Sequence, residues 1–447
     1  MRNRMTNRLA ALSASALVLG LTVAGAGVGI ANATTDDGVN TSTHTITIGA
    51  TVPLTGIAAL GYSDVAKSAN AVFKYINAKG GVNGWKVSFD IKDDCYNITG
   101  LFGCTAPGGT VSQTNALLSD PVFATVGSLG TGTQDLVRTT LDNAGVPQLF
   151  VNSGSKDWDH PSTYPTLFGF QPSYLVEGKI LANYIKTKFK GKSVGVIGQN
   201  DDFGTDGLQG LLNGGLTIPS ADRFTYSPFE LAGAPPSFPT SLAKLKADKV
   251  AVVVLDTVPQ ATKAVLSAAS KIGYKPQFVI SSVGADPDTV NSTLEKNAIS
   301  FTFLPASKDT TNPWNKWIAK VLDADSTDFP KFTSKSTLTG NMQYGAAWGV
   351  AFLEALQATT NGGVVPTRAG YVSKLLTTSF VTPALVPLAY SSSNHQGLNG
   401  GYVISVKDTK TTAVADKQIY KTGDGALSSS PLVKVTGKIA PIPSWLS

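Results

Sequence analysis

The chain has 447 residues, 42% hydrophobic, 15% charged and 9% aromatic, proportions that exclude a disordered or fibrous protein and describe a globular one with sparse charge. The formal net charge of +6 falls to +3 once Arg2, Arg4 and Arg8 are set aside with a removable N-terminal segment; the remainder is spread without blocks and makes no case for a nucleic-acid footprint. Two cysteines, Cys95 and Cys104, and three scattered histidines, His44, His160 and His395, argue against a Cys/His metal cluster.

In chain order, the three arginines precede an uncharged run from Leu9 to Ile30 ending in Ala31-Asn32-Ala33, the basic, apolar and small-residue parts of a secretory signal peptide. Cleavage after Ala33 removes 33 of 447 residues and leaves 414 for the periplasm, the medium or the cell surface. The alternative left open is retention of the run as an anchor, since a spanning helix needs about 20 residues. No cysteine near the cut offers a lipid-anchored version. Export makes a Cys95–Cys104 disulfide the expected use of the two cysteines, closing a short turn-rich loop. Asp93 and Asp94, directly before Cys95, disfavour a reactive thiol there.

Short β-branched runs then alternate with amphipathic helical ones. Strands are predicted at 45–52, 86–92, 122–126, 147–151, 193–198, 250–255, 278–281 and 402–406. A helix over Ser63 to Lys79 places Ala66, Ala69, Val72, Phe73 and Ile76 on one face and stops at Gly80-Gly81. Val176, Ile180, Leu181, Tyr184, Ile185 and Phe189 repeat that spacing, as do Val265, Leu266, Ala269 and Ile272. The alternation predicts parallel sheets with helices on both faces, and the length favours two such domains. The Gly/Ser/Thr-rich stretch from Lys407 to Ser430 reads as loops or a decorated final segment.

The sharpest local feature is the turn Gly127-Ser128-Leu129-Gly130-Thr131-Gly132-Thr133, leaving one strand and opening a helix, where backbone N–H groups and the helix end suit an anionic group. A plain strand-to-helix turn is the competing reading. Asn152-Ser153-Gly154-Ser155 ends the next strand and converges on the same crevice. Three fragments, Ser153-x-x-Lys156, Ser392-Ser393-Asn394 and Lys421-Thr422-Gly423, follow the order of a serine acyl-enzyme, but no helix-forming sequence follows Ser153. Gly191-Lys192-Ser193 lacks the leading glycine of a phosphate loop, and no Gly-x-Ser-x-Gly elbow occurs. Asp201, Asp202 and Asp256 stand at strand ends as ligand-facing acids or, more commonly, solvated caps.

Thr47 to Gly56, Asn77 to Gly84, Asp93-Asp94-Cys95, the turn after Val126, Asn200 to Gly204 and Asn394-His395 together resemble the branched-chain amino-acid binding proteins of ABC importers, the type I periplasmic binding proteins. The resemblance runs from about Thr45 to at least Val406. It implies an α/β fold of two Rossmann-like lobes, residues 45–171 plus 305–383 and residues 172–304 plus 384–447, joined by three crossings near Gln171, Leu304 and Pro383, with the ligand cleft between them. Carried over residue by residue, the carboxylate turn falls on Thr131, Gly132 and Thr133, the next contact segment on Asn152, Ser153 and Gly154, and a packing position on Leu60. The two acids that hold an amino group in the family align with Tyr174 and Ser282, and an aromatic contact aligns with Thr257.

Those departures matter because an ammonium group closed in a cleft without a partner charge costs several kcal/mol. An α-amino acid therefore needs Asp202 or Asp256 as a substitute acid, whereas Phe170 and Tyr174 suit an aromatic or aliphatic carboxylate or amide. The expectation is an exported, monomeric, non-enzymatic solute-binding protein without cofactor or metal. It captures a small molecule and delivers it to an ABC permease driven by a separate ATPase. Two rivals stay open: a soluble ligand-sensing co-receptor of the same fold, and an acyl-transfer enzyme on Ser153, Lys156 and Lys421.

Overall fold

The computed structural model describes residues 35–56, 58–96, 108–228, 237–285, 297–406, 414–437 and 439–446, without the side chains of Leu60 and 414–417. In chain order β1 (Val39–Asn40) and β2 (Thr45–Val52) lead into helix α1 (Ala59–Ala78), followed by β3 (Lys86–Asp93), α2 (Thr110–Ser119), β4 (Thr125–Val126), α3 (Thr131–Asn143), β5 (Gln148–Val151) and β6 (Leu167–Gly169). β2 pairs in parallel with both β3 and β4, and β4-β5-β6 continue in parallel, while the short β1 lies antiparallel on β2. The parallel order is thus β3-β2-β4-β5-β6.

The second sheet repeats it. After α4 (Tyr174–Lys188) come β7 (Val194–Gln199), α5 (Asp202–Asn213), β8 (Arg223–Tyr226), α6 (Phe238–Ala247), β9 (Val252–Asp256), α7 (Pro259–Lys271), β10 (Gln277–Ile280) and β11 (Ile299–Thr302). Their parallel order is β8-β7-β9-β10-β11. β12 (Gly400–Ser405), β13 (Val414–Lys421) and β14 (Val433–Val435) extend that sheet antiparallel beyond β11. Both sheets therefore reverse direction of growth between their first and third strands, which is where doubly wound folds open a crevice at the carboxyl ends of the strands.

Between β11 and β12 the chain returns to the first sheet as α8 (Pro313–Asp323), α9 (Gly340–Thr360) and α10 (Arg368–Thr377). α9 is apolar all round and buried along most of its length, as an interior helix must be. It lies close to α1 because Gly345 carries no Cβ to overlap the Val65 carbonyl. Trp348 is fully buried between Phe73, Phe89 and the turn at Gly127, whose φ of +69° brings its Cα against the indole.

The sheets are linked at Phe170–Ser173, at 303–312 and through 378–399. The last passage is fastened to the first: Gly169 N–H donates to the His395 carbonyl (2.9 Å), and the His395 ring stacks on Phe168 with centroids 4.0 Å apart. The Gly/Ser/Thr-rich stretch read as loop contains β13, held as a strand by antiparallel pairing on both sides. Residues 439–446 do not end on the second sheet with the rest of the final segment. They return to α8, where Trp314 Nε1 donates to the Ala440 carbonyl (2.7 Å) and Trp317 Nε1 to that of Leu446 (3.1 Å), because Leu446 finds there the apolar cover it needs.

Candidate functional site

A cavity of about 150 Å³ opens where the carboxyl ends of the two sheets face each other. From the first sheet it takes Leu129, Gly130 and Thr131 after β4, Asn152 after β5, Tyr96 after β3 and Tyr62 on α1. The second supplies Tyr174 at the start of α4, Phe203 on α5, Val258 after β9 and Ser282, Val283 and Ala285 after β10. Gln171, residues 301–307, the start of α9 up to Tyr344, and Tyr402 and Ile404 of β12 complete the wall. Eight of these residues are Phe or Tyr, and among the described residues no lining side chain carries a charge.

Local structure fixes several of these groups. Ser173 caps α4 by accepting from Val176 N–H (3.1 Å), and Asp201 caps α5 by accepting from Phe203 N–H (3.0 Å). Each cap sets the first helical turn and so presents Tyr174 and Phe203, whose rings meet at 4.5 Å. Tyr96 stands in left-handed backbone at φ +56°. Asp94 holds it there, accepting from Tyr96 N–H (2.9 Å) and from the Thr110 hydroxyl (2.8 Å), while burial pushes the Asp94 carboxyl up to about 6.

Contacts between the two sides show the cleft closed. Tyr62 Oη donates to the Val283 carbonyl (3.1 Å) and Gln199 Nε2 to Tyr96 Oη (3.3 Å). Lys156, after β5, reaches Asp206 on α5 with both its backbone N–H (3.0 Å) and its ammonium (2.8 Å).

Behind the second-sheet wall lies a group that sequence reasoning passed over. Glu177, buried on α4, accepts from Ser282 N–H (2.6 Å) and from the Ser282 hydroxyl (2.7 Å). Burial pushes its carboxyl up to about 7, although the Ser282 bonds pull it down. Its neighbour in charge is Asp256, also buried, packed against Gly207 and raised well above the ordinary range by burial and by Glu177. Asp256 Oδ2 has no partner among the described residues. The available signal was Glu177 in a helix whose positions 174–182 are all apolar or small apart from Lys179: an acid there has no wet face.

Of the residues singled out from sequence, Thr131, Asn152, Tyr174 and Ser282 line the cavity together. Gly132, Thr133, Ser153, Gly154 and Thr257 stand behind the wall. Thr133 Oγ1 donates to the Leu129 carbonyl (2.7 Å), Ser153 Oγ pairs with Thr131 Oγ1 (2.8 Å), and Thr257 Oγ1 pairs with Thr262 Oγ1 (2.6 Å). Gly154 is the floor on which the Tyr174 ring rests, since a Cβ there would lie 2.9 Å from the ring. Phe170 is core, against Phe150 and Tyr344. The Leu60 side chain and Cys104 lie outside the described residues. Asp202 and Asp256 are not on the wall, so neither supplies the substitute acid there. Phe301, Phe303, Tyr344 and Tyr402 were missed, since crossings and an interior helix carry no turn signature.

Lys156 of the acyl-transfer arrangement is tied to Asp206. Burial lowers the Lys156 pKa, but its bonds to Asp206 and the nearby acids outweigh that and hold the ammonium protonated, whereas a general base must be free to accept a proton. Among the described residues no cluster of His, Cys, Asp or Glu could hold a metal, and no helix is long and apolar enough to cross a membrane.

Two doubly wound sheets joined by three chain crossings, with a cavity between their carboxyl ends, define a two-lobed α/β protein. The chain belongs to the periplasmic binding protein family: the family model matches residues 45–411. It is 28% identical over 190 residues, 40% of this chain and 47% of the relative, to Leu/Ile/Val-binding protein homolog 3 of Brucella melitensis. It is 27% identical over 212 residues, 46% and 53%, to Leu/Ile/Val-binding protein BraC3 of Rhizobium johnstonii. The chain thus spans about half the length of these curated relatives. Among solved structures it superposes on a fatty acid ABC transporter substrate-binding protein from Thermomonospora curvata with TM-score 0.66, 17% identity, 92% of this chain and 95% of that one. For an ABC transporter solute-binding protein from Rhodopseudomonas palustris in complex with 3,4-dihydroxybenzoic acid the values are 0.64, 16%, 89% and 98%.

Proposed function

We propose that the chain is the exported solute-binding component of an ABC importer. It closes its two lobes, residues 45–171 plus 305–383 and 172–304 plus 384–447, on a small organic molecule with an apolar or aromatic body and a single polar head. The class is an aromatic or aliphatic carboxylate or amide, in preference to leucine, isoleucine or valine. One observation carries this reading: the aromatic-rich cavity presents no charged side chain among the described residues, so a bound ammonium group would lose its hydration without a counter-charge. Closure would select the enclosed form from an open-closed equilibrium, and a membrane permease with a separate ATPase would read that form. Export with cleavage after Ala33, a monomeric state and a Cys95–Cys104 disulfide belong to the same proposal; intact mass with and without reductant tests the last.

Thermal shift of the purified protein against branched-chain amino acids, amides, aromatic acids and short fatty acids tests the function. Ligand at 100 times its dissociation constant adds roughly 2.7 kcal/mol. Stabilisation by an acid or amide lacking an amino group is the expected result; stabilisation by leucine or valine alone refutes the ligand class.

A further inference from the structure

Among the wall residues of the turn after β10, only Ser282 has a polar side chain, and that side chain is held from behind. Ser282 N–H donates to Glu177 Oε1 (2.6 Å) and the Ser282 hydroxyl to Oε2 (2.7 Å), short bonds of the kind an ionised carboxylate accepts. In that state the hydroxyl proton is spent on Glu177, and Ser282 has only lone pairs left for the cavity. A protonated Glu177 reverses the sense. The backbone N–H still claims one carboxyl oxygen, the acid proton sits on the other and is donated to Ser282 Oγ, and the Ser282 proton is freed for the cavity.

Among the described residues no cation is paired with Glu177 to hold it ionised. Asp256, at the end of β9, is the acid that bears on it, and burial together with the charge of Glu177 keeps Asp256 protonated. Lys179, on the same helix, gives its ammonium to the carbonyls of Gly423 (2.8 Å), Gly425 (2.6 Å) and Ser430 (2.6 Å). Of the elements packed on α4, β11 and β12 carry no charged residue, α5 carries Asp202 and Asp206, the latter engaged by Lys156, and β13 carries Asp416, Lys417 and Lys421. Burial thus leaves the Glu177 carboxyl at about 7, where both states are populated.

The first-lobe wall does not tell a carboxylate from an amide. The N–H groups at the start of α3 and the Asn152 amide, whose Nδ2 has no partner among the described residues, suit an acceptor oxygen of either. An amide also carries N–H donors and a carboxylate does not, so the sense of the Ser282 hydroxyl separates them.

We infer that Glu177 is a positioning residue that sets the hydrogen-bond sense of Ser282 and with it the preferred head group: an amide when Glu177 is ionised, a carboxylate when it is protonated. This rests on the solute-binding reading and deepens it, since that reading admits both heads.

The test is isothermal titration of matched pairs, benzamide with benzoate and hexanamide with hexanoate, on either side of the Glu177 titration, near pH 5.5 and pH 8.5. In wild type the acid-to-amide affinity ratio is expected to rise about tenfold at the lower pH, the worth of one hydrogen bond to a charged group, and acid binding near pH 7 should take up a proton, read from buffers of different ionisation heat. Glu177→Gln fixes the protonated sense, its Oε1 accepting from Ser282 N–H and its Nε2 donating to Ser282 Oγ, so its ratio should stay at the low-pH value throughout. Ser282→Ala, which keeps Glu177 and removes the hydroxyl, should flatten the ratio as well, and a melting curve for each variant confirms that it folds. A wild-type ratio that does not move with pH, or one that moves equally in Glu177→Gln, overturns the inference and leaves the solute-binding reading standing. If another acid or amide of the thermal-shift panel binds in place of these four, its matched pair is titrated in the same way; no response from any of them overturns both.

Discussion

The two walls of the cavity are made by the same topological device and reach neutrality by opposite means. On the first-lobe wall, several amides and hydroxyls of the turns after β4 and β5 pair among themselves, and Tyr174 N–H donates to the Gly154 carbonyl. The second-lobe wall does contain acids, Glu177 and Asp256, but they stand one layer behind, with both oxygens of Glu177 engaged by Ser282. A binding site can thus keep an acid without presenting a charged contact: a buried carboxyl in the layer beneath the wall braces a serine instead of meeting an ammonium group.

The largest expected effect of breaking this arrangement is structural. Trp348→Ala removes the fully buried indole that seats the β4 turn and is expected to cost ~3–5 kcal/mol in urea denaturation. On the opposite wall, Glu177→Ala leaves the Ser282 N–H without its acceptor, about 1–3 kcal/mol; Glu177→Gln keeps an acceptor and should restore most of that, while altering the pH dependence.

The sign of that dependence follows from the raised carboxyl. Between its ordinary pKa near 4.5 and the folded value of about 7, the folded state holds the proton and the unfolded chain does not. This contribution is therefore fullest below pH 4.5 and is lost as pH rises to 7, on the order of 3 kcal/mol at about 1.4 kcal/mol per unit. Asp94, raised to about 6, and Asp256, also raised by burial, act in the same direction. Melting temperature measured from pH 4.5 to 7.5 should decline less steeply in Glu177→Gln than in wild type; parallel slopes would remove Glu177 from the explanation.

A smaller effect is expected between the walls. Asp206→Asn removes the charge opposite Lys156, whose side chain is 44% exposed, so solvent screening limits the loss to about 0.5–1 kcal/mol. Because the pair joins the two lobes, the loss should appear as a two- to fivefold weaker ligand affinity that is insensitive to which ligand is used. An effect on amides alone would place Asp206 in recognition instead of closure.

How much of this was readable in advance depended on whether a feature is local. β2 was legible to the residue because an eight-residue β-branched run is buried against helices on both faces. β6, β8 and β11 were not, being three or four residues long and defined by neighbours distant in sequence. β13 sits in a polar stretch and is a strand only through its pairing with β12 and β14. In the site, Thr131 and Asn152 could be placed at the cavity from their strand-end turns, whereas Tyr174 and Ser282 came only from the family resemblance; all four line the cavity. Phe303, Tyr344 and Tyr402 come from a crossing, from the interior helix α9 and from the sheet extension, positions that only the assembled fold brings to the cavity.

The central claim is that the cavity cannot hold an ammonium group. Calorimetric titration of leucine beside 4-methylpentanamide, which keeps the branched side chain and drops the amino and acid groups, tests it directly. The account expects heat and a single site with the amide and none with leucine; saturable binding of leucine in the micromolar range, with the amide silent, would contradict it.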